Sequence, residues 1–240
     1  MKLFQPELPD WQIETGAATQ FRPLYDGART YRVLAGPVID VRYRDVAFAS
    51  VGEGLGVNLV RGLNYRAGVS VDYDLGRHAK DDLVHLKGMG NISAAPLVKL
   101  FGSYVISKEL PLVFRADVRQ SVGGANGLVA DLGTYMPLPG SSQSLFMFAG
   151  PSVTFADHLY MQTVFGVNGA QSAASSYPVY RAHGGMEAVG LGFTAVHFID
   201  KHWLVNADLA VNRLLGSARE SPMTQATLQE ALALSFAYKW

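Results

Sequence analysis

The sequence predicts an all-β protein: an antiparallel, up-and-down transmembrane β-barrel with a polar, charged lumen. First, the chain is apolar on average, with 49% hydrophobic residues, 17% charged residues and a mean hydropathy of +0.12. Second, polar residues or glycines interrupt every apolar stretch before it reaches the ~18 residues of a membrane-spanning helix. Third, 25 glycines accompany 11 tyrosines and 12 phenylalanines. Strands that face lipid on one side produce this combination.

Net charge and cysteine content narrow the classes of function. Lys plus Arg (20) balances Asp plus Glu (20), and the pI is about 7.0, so no overall field attracts nucleic acid. We therefore expect no nucleic-acid partner. The absence of cysteine excludes disulfide frameworks, thiolate zinc sites and cysteine nucleophiles.

Alternation with a period of two is the main evidence for strands. In the C-terminal segment, Leu232, Leu234, Phe236, Tyr238 and Trp240 share one parity, and small or polar residues occupy the other. The ranges 65–75, 112–119 and 203–212 alternate in the same way. Further segments begin near Trp11, Arg32, Ala47, Ala94, Gly127, Ser144 and Met186. These make about eleven segments, and because single-chain bacterial barrels have an even strand number, we expect twelve strands, with ten as the alternative.

The connections between the segments differ in length. Short turn signals lie at 43–45, 107–109 and 138–142, whereas longer polar connections lie near 77–91, 157–182 and 217–229. Short turns at one rim and long loops at the other are typical of outer-membrane barrels.

The predicted organisation is a single barrel domain over residues 1–240. Within it we expect an N-terminal periplasmic arm at 1–10 and a long extracellular loop at 157–182. Alanines favour a short helix around 169–175 in that loop, which could close the mouth or pack beside it. The stretch 158–167 could extend a strand or belong to the loop.

A soluble β-sandwich or a lipocalin-like barrel is the alternative, because these folds also alternate, with their apolar face turned inward. The long segments, and an inner parity rich in glycine, serine and charge, argue against it. Aromatic residues also fall at the segment ends, as in interfacial girdles. They are Trp11, Tyr43, Tyr73, Tyr104, Phe155, Trp203, Tyr238 and Trp240.

Ionisable residues collect on the predicted lumen parity. We expect Arg66, Arg115 and Arg119 to pair with aspartates across a narrow interior, where a low dielectric favours pairing. The interpretation we favour is a polar plug that stabilises the barrel; the alternative is a selectivity constriction. The predicted lumen set is Glu14, Asp40, Arg42, Arg66, Asp72, Asp74, Lys99, Arg115, Asp117, Arg119, Asp131 and Asp208.

Residues of the type used in catalysis or metal binding form no familiar motif. His197 and His202 with Ser235 could be imagined as a lipid-deacylating site, but nothing in the sequence couples them. His183 and Glu187 lie four apart, a spacing that on a strand separates them by ~13 Å, too far for one ion. We predict no catalytic residues, no metal site and no cofactor.

Several stretches resemble the MltA-interacting protein (MipA)/OmpV family of outer-membrane proteins from about residue 20 onward. Their order and spacing carry the resemblance more than any one of them. The stretches are 22–27 (RPLYDG), 127–133 (GLVADLG), 150–152 (GPS), 160–162 (YMQ), 165–167 (FGV), 170–175 (AQSAAS), Tyr180, 201–203 (KHW), 213–218 (RLLGSA) and 221–222 (SP).

The resemblance implies a barrel in the Gram-negative outer membrane, with outer-membrane lipid around it. Phe236, Tyr238 and Trp240 resemble the C-terminal signal that the barrel-assembly machinery reads. The family further implies a non-enzymatic scaffold that joins a periplasmic murein lytic transglycosylase to a bifunctional penicillin-binding protein. A small-solute channel is the runner-up hypothesis, and a surface adhesin working through 157–182 is a third.

Two features depart from the expected pattern. The first residues lack the apolar core of a signal peptide, which we expect to have been removed. Glu53 falls on the lipid parity of Val51, Leu55 and Val57, where a charge is costly. A bulge, a position near the rim or a protein contact would each account for it.

Overall fold

A computed structural model describes residues 9–240. Its strands are β1 (Trp11–Pro23), β2 (Tyr31–Tyr43), β3 (Ala47–Ser50), β4 (Gly54–Arg61), β5 (Tyr65–Asp74), β6 (Ala95–Val105), β7 (Val113–Ser121), β8 (Leu128–Pro137), β9 (Leu145–Ala156), β10 (Gly185–Phe198), β11 (Trp203–Leu214) and β12 (Leu228–Lys239). Three short α-helices are α1 (His158–Phe165), α2 (Gly169–Ala174) and α3 (Gly216–Glu220), and a 3₁₀ turn covers Ala79–Asp81.

The strands form a closed barrel in which each pairs with its neighbours in the chain, and β1 closes the ring against β12. All pairs are antiparallel, and the closing register runs from Glu14 opposite Lys239 to Phe21 opposite Leu232. The predicted all-β fold and the predicted twelve strands are therefore confirmed.

Within residues 9–240, no helix is both long and apolar enough to cross a membrane.

The strand missing from the sequence count lies in the segment that begins near Ala47. This segment is a hairpin of two strands, β3 and β4, separated by a turn at residues 51–53. Glu53 lies in that turn, and its carboxylate accepts a hydrogen bond from the lumen residue Arg42. The apparent charge on the lipid face thus results from reading one strand through the turn.

Aromatic rings cluster at one rim of the barrel. One of them, that of Trp240, also fastens the closing pair of strands, β12 and β1. Trp203 stacks on Phe236 at 4.6 Å and meets Tyr238 edge-on at 4.9 Å between ring centroids. The indole of Trp240 donates to the Thr15 hydroxyl at 3.1 Å, which ties the end of β12 to β1. This arrangement is typical of an interfacial girdle.

The two ends of the barrel differ as expected for an outer-membrane protein. Short turns join the strands at one end, and four longer loops, 24–30, 75–94, 157–184 and 215–227, lie at the other end. From this asymmetry we refer to the two ends as periplasmic and extracellular. We call these four loops together the extracellular cap. The predicted helix around 169–175 is confirmed as α2, whereas 158–165 is the helix α1 and extends no strand. The proposed periplasmic arm falls largely on residues 1–8, outside the described part.

Aromatic rings from β3, β6 and β8 occupy part of the periplasmic half of the lumen, where they lie against glycines. The ring of Phe48 covers Gly56, and the ring of Tyr135 lies 3.2 Å from where a Cβ of Gly192 would be. Phe48 also meets Phe101 at 5.7 Å between centroids. The lumen glycines therefore provide room for large neighbours.

Candidate functional site: the charged lumen and the extracellular cap

The first group of lumen charges lies near the periplasmic end, on β2. Arg42 donates to both carboxylate oxygens of Asp40 at 2.8 Å and to Glu53 at 3.0 Å. Its guanidinium also lies 5.4 Å from the centre of the Phe48 ring. Glu14 faces Asp40 across the β1–β2 pair. Arg42 is therefore bonded to two carboxylates, with a third, that of Glu14, on the neighbouring strand.

A second group lies on the opposite wall, around Arg119 of β7. Its guanidinium contacts Asp131 of β8 at hydrogen-bond distance and lies 3.4 Å from Asp117. The hydroxyl of Thr154 donates to the other oxygen of Asp131. Lys99 is the register partner of Arg119 on β6. These charge-assisted hydrogen bonds join three adjacent strands, β7, β8 and β9.

The remaining aspartates of the predicted set bind groups other than arginine. Asp208 accepts from Thr194 and Asn206, each at 2.6 Å. Asp72 and Asp74 accept backbone amides, from Tyr73 and Gly76 respectively, each at 2.8 Å.

Arg66 and Arg115 differ from the expectation. Among residues 9–240, neither forms an ion pair within 4.0 Å, so the expected pairing of these two with aspartates is wrong. The physical reason is reach. Among the described residues, Arg42 and Arg119 pair with carboxylates two along the same strand or on the adjacent element. Arg115 lies instead over the Tyr135 ring at 5.4 Å.

Helix α1 enters the extracellular mouth and is fixed at both ends. The Asp157 side chain caps it by accepting from the Tyr160 amide at 2.8 Å. At the other end Arg77 donates to the Val164 carbonyl at 3.0 Å. The backbone of Tyr160 lies so close to Gly127 that any side chain there would collide with it. The predicted loop 157–182 therefore covers the mouth.

The cap has its own apolar interior. One cluster places Met161 and Phe165 of α1 against Ala182 and Leu214, and a second brings Tyr25, Leu86, Met89, Val167 and Met223 together from all four loops. Polar contacts join the same loops, including Gln171 to the Met89 carbonyl at 2.7 Å. Packed in this way, the cap closes the extracellular end.

Ionisable groups under the cap lie in a poorly solvated setting. Burial raises the pKa of Asp26, although Arg22 and Arg119 act in the opposite direction. Burial, with the nearby Asp26 and Glu187, raises the pKa of the Tyr160 hydroxyl well above its usual value. Tyr160 is therefore a neutral hydrogen-bonding group at neutral pH.

A cavity of about 1300 Å³ occupies the lumen beneath the cap. Five of the predicted lumen residues line it, and so do Arg22, Arg32 and Tyr160, which the sequence reasoning did not select. Arg22 and Arg32 could have been selected, because both share the inward parity of Glu14 and Asp40. Tyr160 could not, because its place depends on how α1 enters the mouth. The five residues are Glu14, Asp40, Asp74, Arg119 and Asp208.

The imagined catalytic grouping is not assembled. Ser235 lines the lumen cavity, whereas the His202 ring stacks on Tyr238, a residue of the opposite parity, at 5.2 Å. His197 binds the Ser144 carbonyl at 3.0 Å. Within residues 9–240, no group of three or more His, Cys, Asp or Glu is placed to hold a metal ion. His183 instead stacks on His158 at 6.3 Å.

Comparison with known proteins gives one family. The family model described as MltA-interacting protein MipA matches residues 15–240. No curated protein sequence matches.

Solved structures that align with the chain are outer-membrane proteins of low identity. OmpT of Vibrio cholerae is 9% identical, with 98% of this chain and 99% of that chain covered and a TM-score of 0.37. Ail of Yersinia pestis is 10% identical, with 97% and 100% covered and a TM-score of 0.25. OprG of Pseudomonas aeruginosa is 11% identical, with 96% and 95% covered and a TM-score of 0.26.

Proposed function

The chain belongs to the MltA-interacting protein family, and from this membership we propose that it is a non-enzymatic scaffold of the outer membrane. In this role its periplasmic face binds a murein lytic transglycosylase of the MltA type. A murein synthase, the bifunctional penicillin-binding protein, is the second proposed partner.

The observation that carries this proposal is an apolar patch on two neighbouring periplasmic turns. Leu63, between β4 and β5, is 64% exposed, and Leu110, between β6 and β7, is 52% exposed. The turns are fastened together, since Asn64 donates to the Val105 carbonyl at 3.0 Å. Exposed apolar side chains rimmed by polar ones are typical of protein contact sites. We call Leu63, Ile106 and Leu110 the turn patch.

Charged residues border the turn patch and would orient a partner. Lys108 and Glu109 lie on the same turn as Leu110, and hydrogen bonds to the Glu109 carboxylate, from its own amide and from Ser107, lower its pKa. Across the β4 end, Arg61 donates to the Arg44 carbonyl at 3.4 Å. A stable interface buries about 1,200 Å² or more, so the N-terminal residues would have to contribute area.

Binding to the purified transglycosylase tests the proposal. The barrel would be reconstituted in lipid nanodiscs and its affinity measured with the immobilised enzyme. We expect the double variant Leu63→Ser/Leu110→Ser to bind at least about tenfold more weakly, because apolar anchors dominate such interfaces. Ile199→Ser, on the distant turn between β10 and β11 and 55% exposed, is the matched control. Absence of binding by the unaltered barrel would refute the scaffold.

A small-solute channel is the second candidate, and the cavity of about 1300 Å³ favours it. Single-channel recording in a planar bilayer tests it. Steady conductance that changes in Arg115→Ala or Arg119→Ala would establish a conduit. A silent membrane, with folding checked by heat-modifiable gel mobility, would eliminate this candidate.

A further inference from the structure

The barrel wall is incomplete between β2 and β5. The β3–β4 hairpin turns back after Ser50, which is paired with Asp40, and β4 pairs with β5 only up to Leu55 opposite Val71. One further bond joins the Val51 amide to the Ile39 carbonyl at 3.0 Å. Beyond these points, no strand among residues 9–240 is hydrogen-bonded between β2 over residues 31–38 and the end of β5. We call this space the lateral gap.

The backbone is adapted to the lateral gap. Because the Ile39 carbonyl points toward β3, strand alternation directs the backbone nitrogen of residue 37 into the gap, and this residue is proline, which has no N–H. On the other side, the Tyr73 amide is satisfied by the Asp72 side chain at 2.8 Å. An unsatisfied donor in hydrocarbon costs several kcal/mol. Two of the amide positions that face the gap therefore leave no unsatisfied donor there.

The cavity beneath the cap reaches the lipid face through this gap. Its lining includes the lumen-facing Leu34 and Gly36, the lipid-facing Ile39 and Tyr73, and Val51 of the turn at residues 51–53. Val51 is 59% exposed and Tyr73 57%. The lumen therefore communicates sideways with the outer half of the membrane through an apolar frame.

Two arginines face one another inside the same cavity. Arg22 and Arg32 are register partners on β1 and β2 and project to the same side. The Nε atom of each is buried and has no hydrogen-bond partner in the described chain. The closest carboxylate to Arg32 is Asp81 at 3.9 Å, and Arg22 forms no ion pair with residues 9–240. Like charges directly opposite are destabilising unless an anion lies between them.

We propose that the cavity binds a single-chain anionic amphiphile that enters from the membrane through the lateral gap. Its carboxylate or phosphate lies between Arg22 and Arg32, where two guanidinium groups supply charge-assisted hydrogen bonds. Its hydrocarbon chain passes Leu34 and Gly36 and leaves between β2 and β5. This site is independent of the periplasmic partner proposed above.

A fluorescent fatty acid, dansylaminoundecanoate, tests the proposal when it is titrated into the barrel in nanodiscs, with empty nanodiscs subtracted. We expect saturable binding that weakens at least about tenfold in Arg22→Gln/Arg32→Gln. Gly36→Trp should abolish binding, because its indole would occupy the space that the hydrocarbon chain needs. The substitution has room at its base, since no atom lies within 4 Å of the added Cβ. Heat-modifiable mobility confirms that each variant is folded.

Two matched controls keep the result specific. Arg66→Gln removes another lumen arginine whose Nε is buried and unpartnered, away from the gap. Gly102→Trp places the same indole on the lipid parity of β6, where the nearest atom is 3.8 Å from its Cβ. Both should bind within about twofold of the unaltered barrel. Loss of binding in either control to the same degree would overturn the site.

Competition identifies the head group. Dodecanoate and dodecyl phosphate should displace the probe, and their relative potency distinguishes a carboxylate from a phosphate ligand. Dodecyltrimethylammonium, with the same chain and a positive head, should not. Equal displacement by the cation, unchanged binding in Gly36→Trp or in the double arginine variant, or no saturable binding at all would each overturn the proposal.

Discussion

The two halves of the lumen differ in how tightly their side chains are packed and in whether their arginines are paired. In the periplasmic half, Phe48, Phe101 and Tyr135 pack over glycines, and Arg42 is bonded to two carboxylates. A cavity of about 1300 Å³ runs from the cap along β1, β2 and β10–β12 as far as Phe198 and Leu204, and at its extracellular end Arg22 and Arg32 face each other. The first half is built to hold the barrel together. In the second, the buried Nε atoms of Arg22 and Arg32 have no hydrogen-bond partner in the described chain, and unused donors of this kind are characteristic of a binding site.

The largest expected effect comes from overfilling the packed half. Gly150 of β9 lies against the Thr134 backbone of β8 more closely than any Cβ could. Gly150→Ala should therefore separate these strands and lower the free energy of unfolding by about 3 kcal/mol. Urea unfolding of the reconstituted barrel, followed by tryptophan fluorescence, measures it. Gly36→Ala, in the open half, should change stability by less than about 0.5 kcal/mol, and equal losses would contradict the contrast.

The second effect separates paired from unpaired charge. Asp131→Asn leaves Arg119 with only Asp117 and should cost about 2 kcal/mol, less than for a fully buried pair because these side chains are partly exposed. Arg22→Gln should cost less than about 1 kcal/mol, because the repulsion from Arg32 that it removes offsets the attraction to Asp26 and Asp74 that it loses. The same unfolding assay compares them. A larger loss for Arg22→Gln would show that Arg22 already has a partner.

A smaller effect concerns the pH dependence of the cap. Burial alone would raise the pKa of Asp82, but hydrogen bonds from His85 and Val84 outweigh it, and the pKa lies below its usual value. The stabilisation is therefore present above the ordinary aspartate pKa and is lost as the pH falls through the lowered value. Amide hydrogen exchange of residues 84–86, corrected for intrinsic rates, should show this opening in acid. Asp82→Asn should abolish the dependence, and Asp81→Asn should retain it.

The smallest effect is expected at the exposed rim. Arg44 and Asp10 form a 2.8 Å ion pair that is open to water, and this pair lowers the pKa of Asp10. Arg44→Ala should leave the unfolding midpoint unchanged within error, because exposed pairs contribute little. A clear loss would mean that the exposed rim contributes to the stability of the barrel, and the contrast between the halves would need revision.

The sequence predicts which face of each strand is inside, because side-chain direction alternates strictly along a strand. This alternation predicts the lipid-facing parity of Phe236 and Tyr238, and the lumen position of Arg42 and Arg119. It fails where the period is broken: the turn around Glu53 continues the parity of β3 into β4 closely enough to read as one strand. The roles of the lumen charges and of the C-terminal signal stay predictions.

The site depends on information that parity does not contain. Which ions pair is decided by strand register, and register is set by turn length, so Arg66 and Arg115 could not be assigned partners in advance. The lateral gap follows from how early one hairpin turns, and the closure of the mouth from the path of α1. The position of a turn along the barrel axis and the direction of a helix cannot be read from a pattern that only distinguishes the two faces of a strand.

The bond between the Trp240 indole and the Thr15 hydroxyl bears on the order in which the barrel folds. It belongs to the pairing of β1 with β12, the contacts most distant in sequence, so the ring cannot close until the strand at residues 228–239 has been made and has reached the first one. Loop closure of this length is slow. Until then both outer strands expose unpaired edges. Ring closure should therefore be the late step of folding, and a chaperone or assembly factor that shields these edges would accelerate it most.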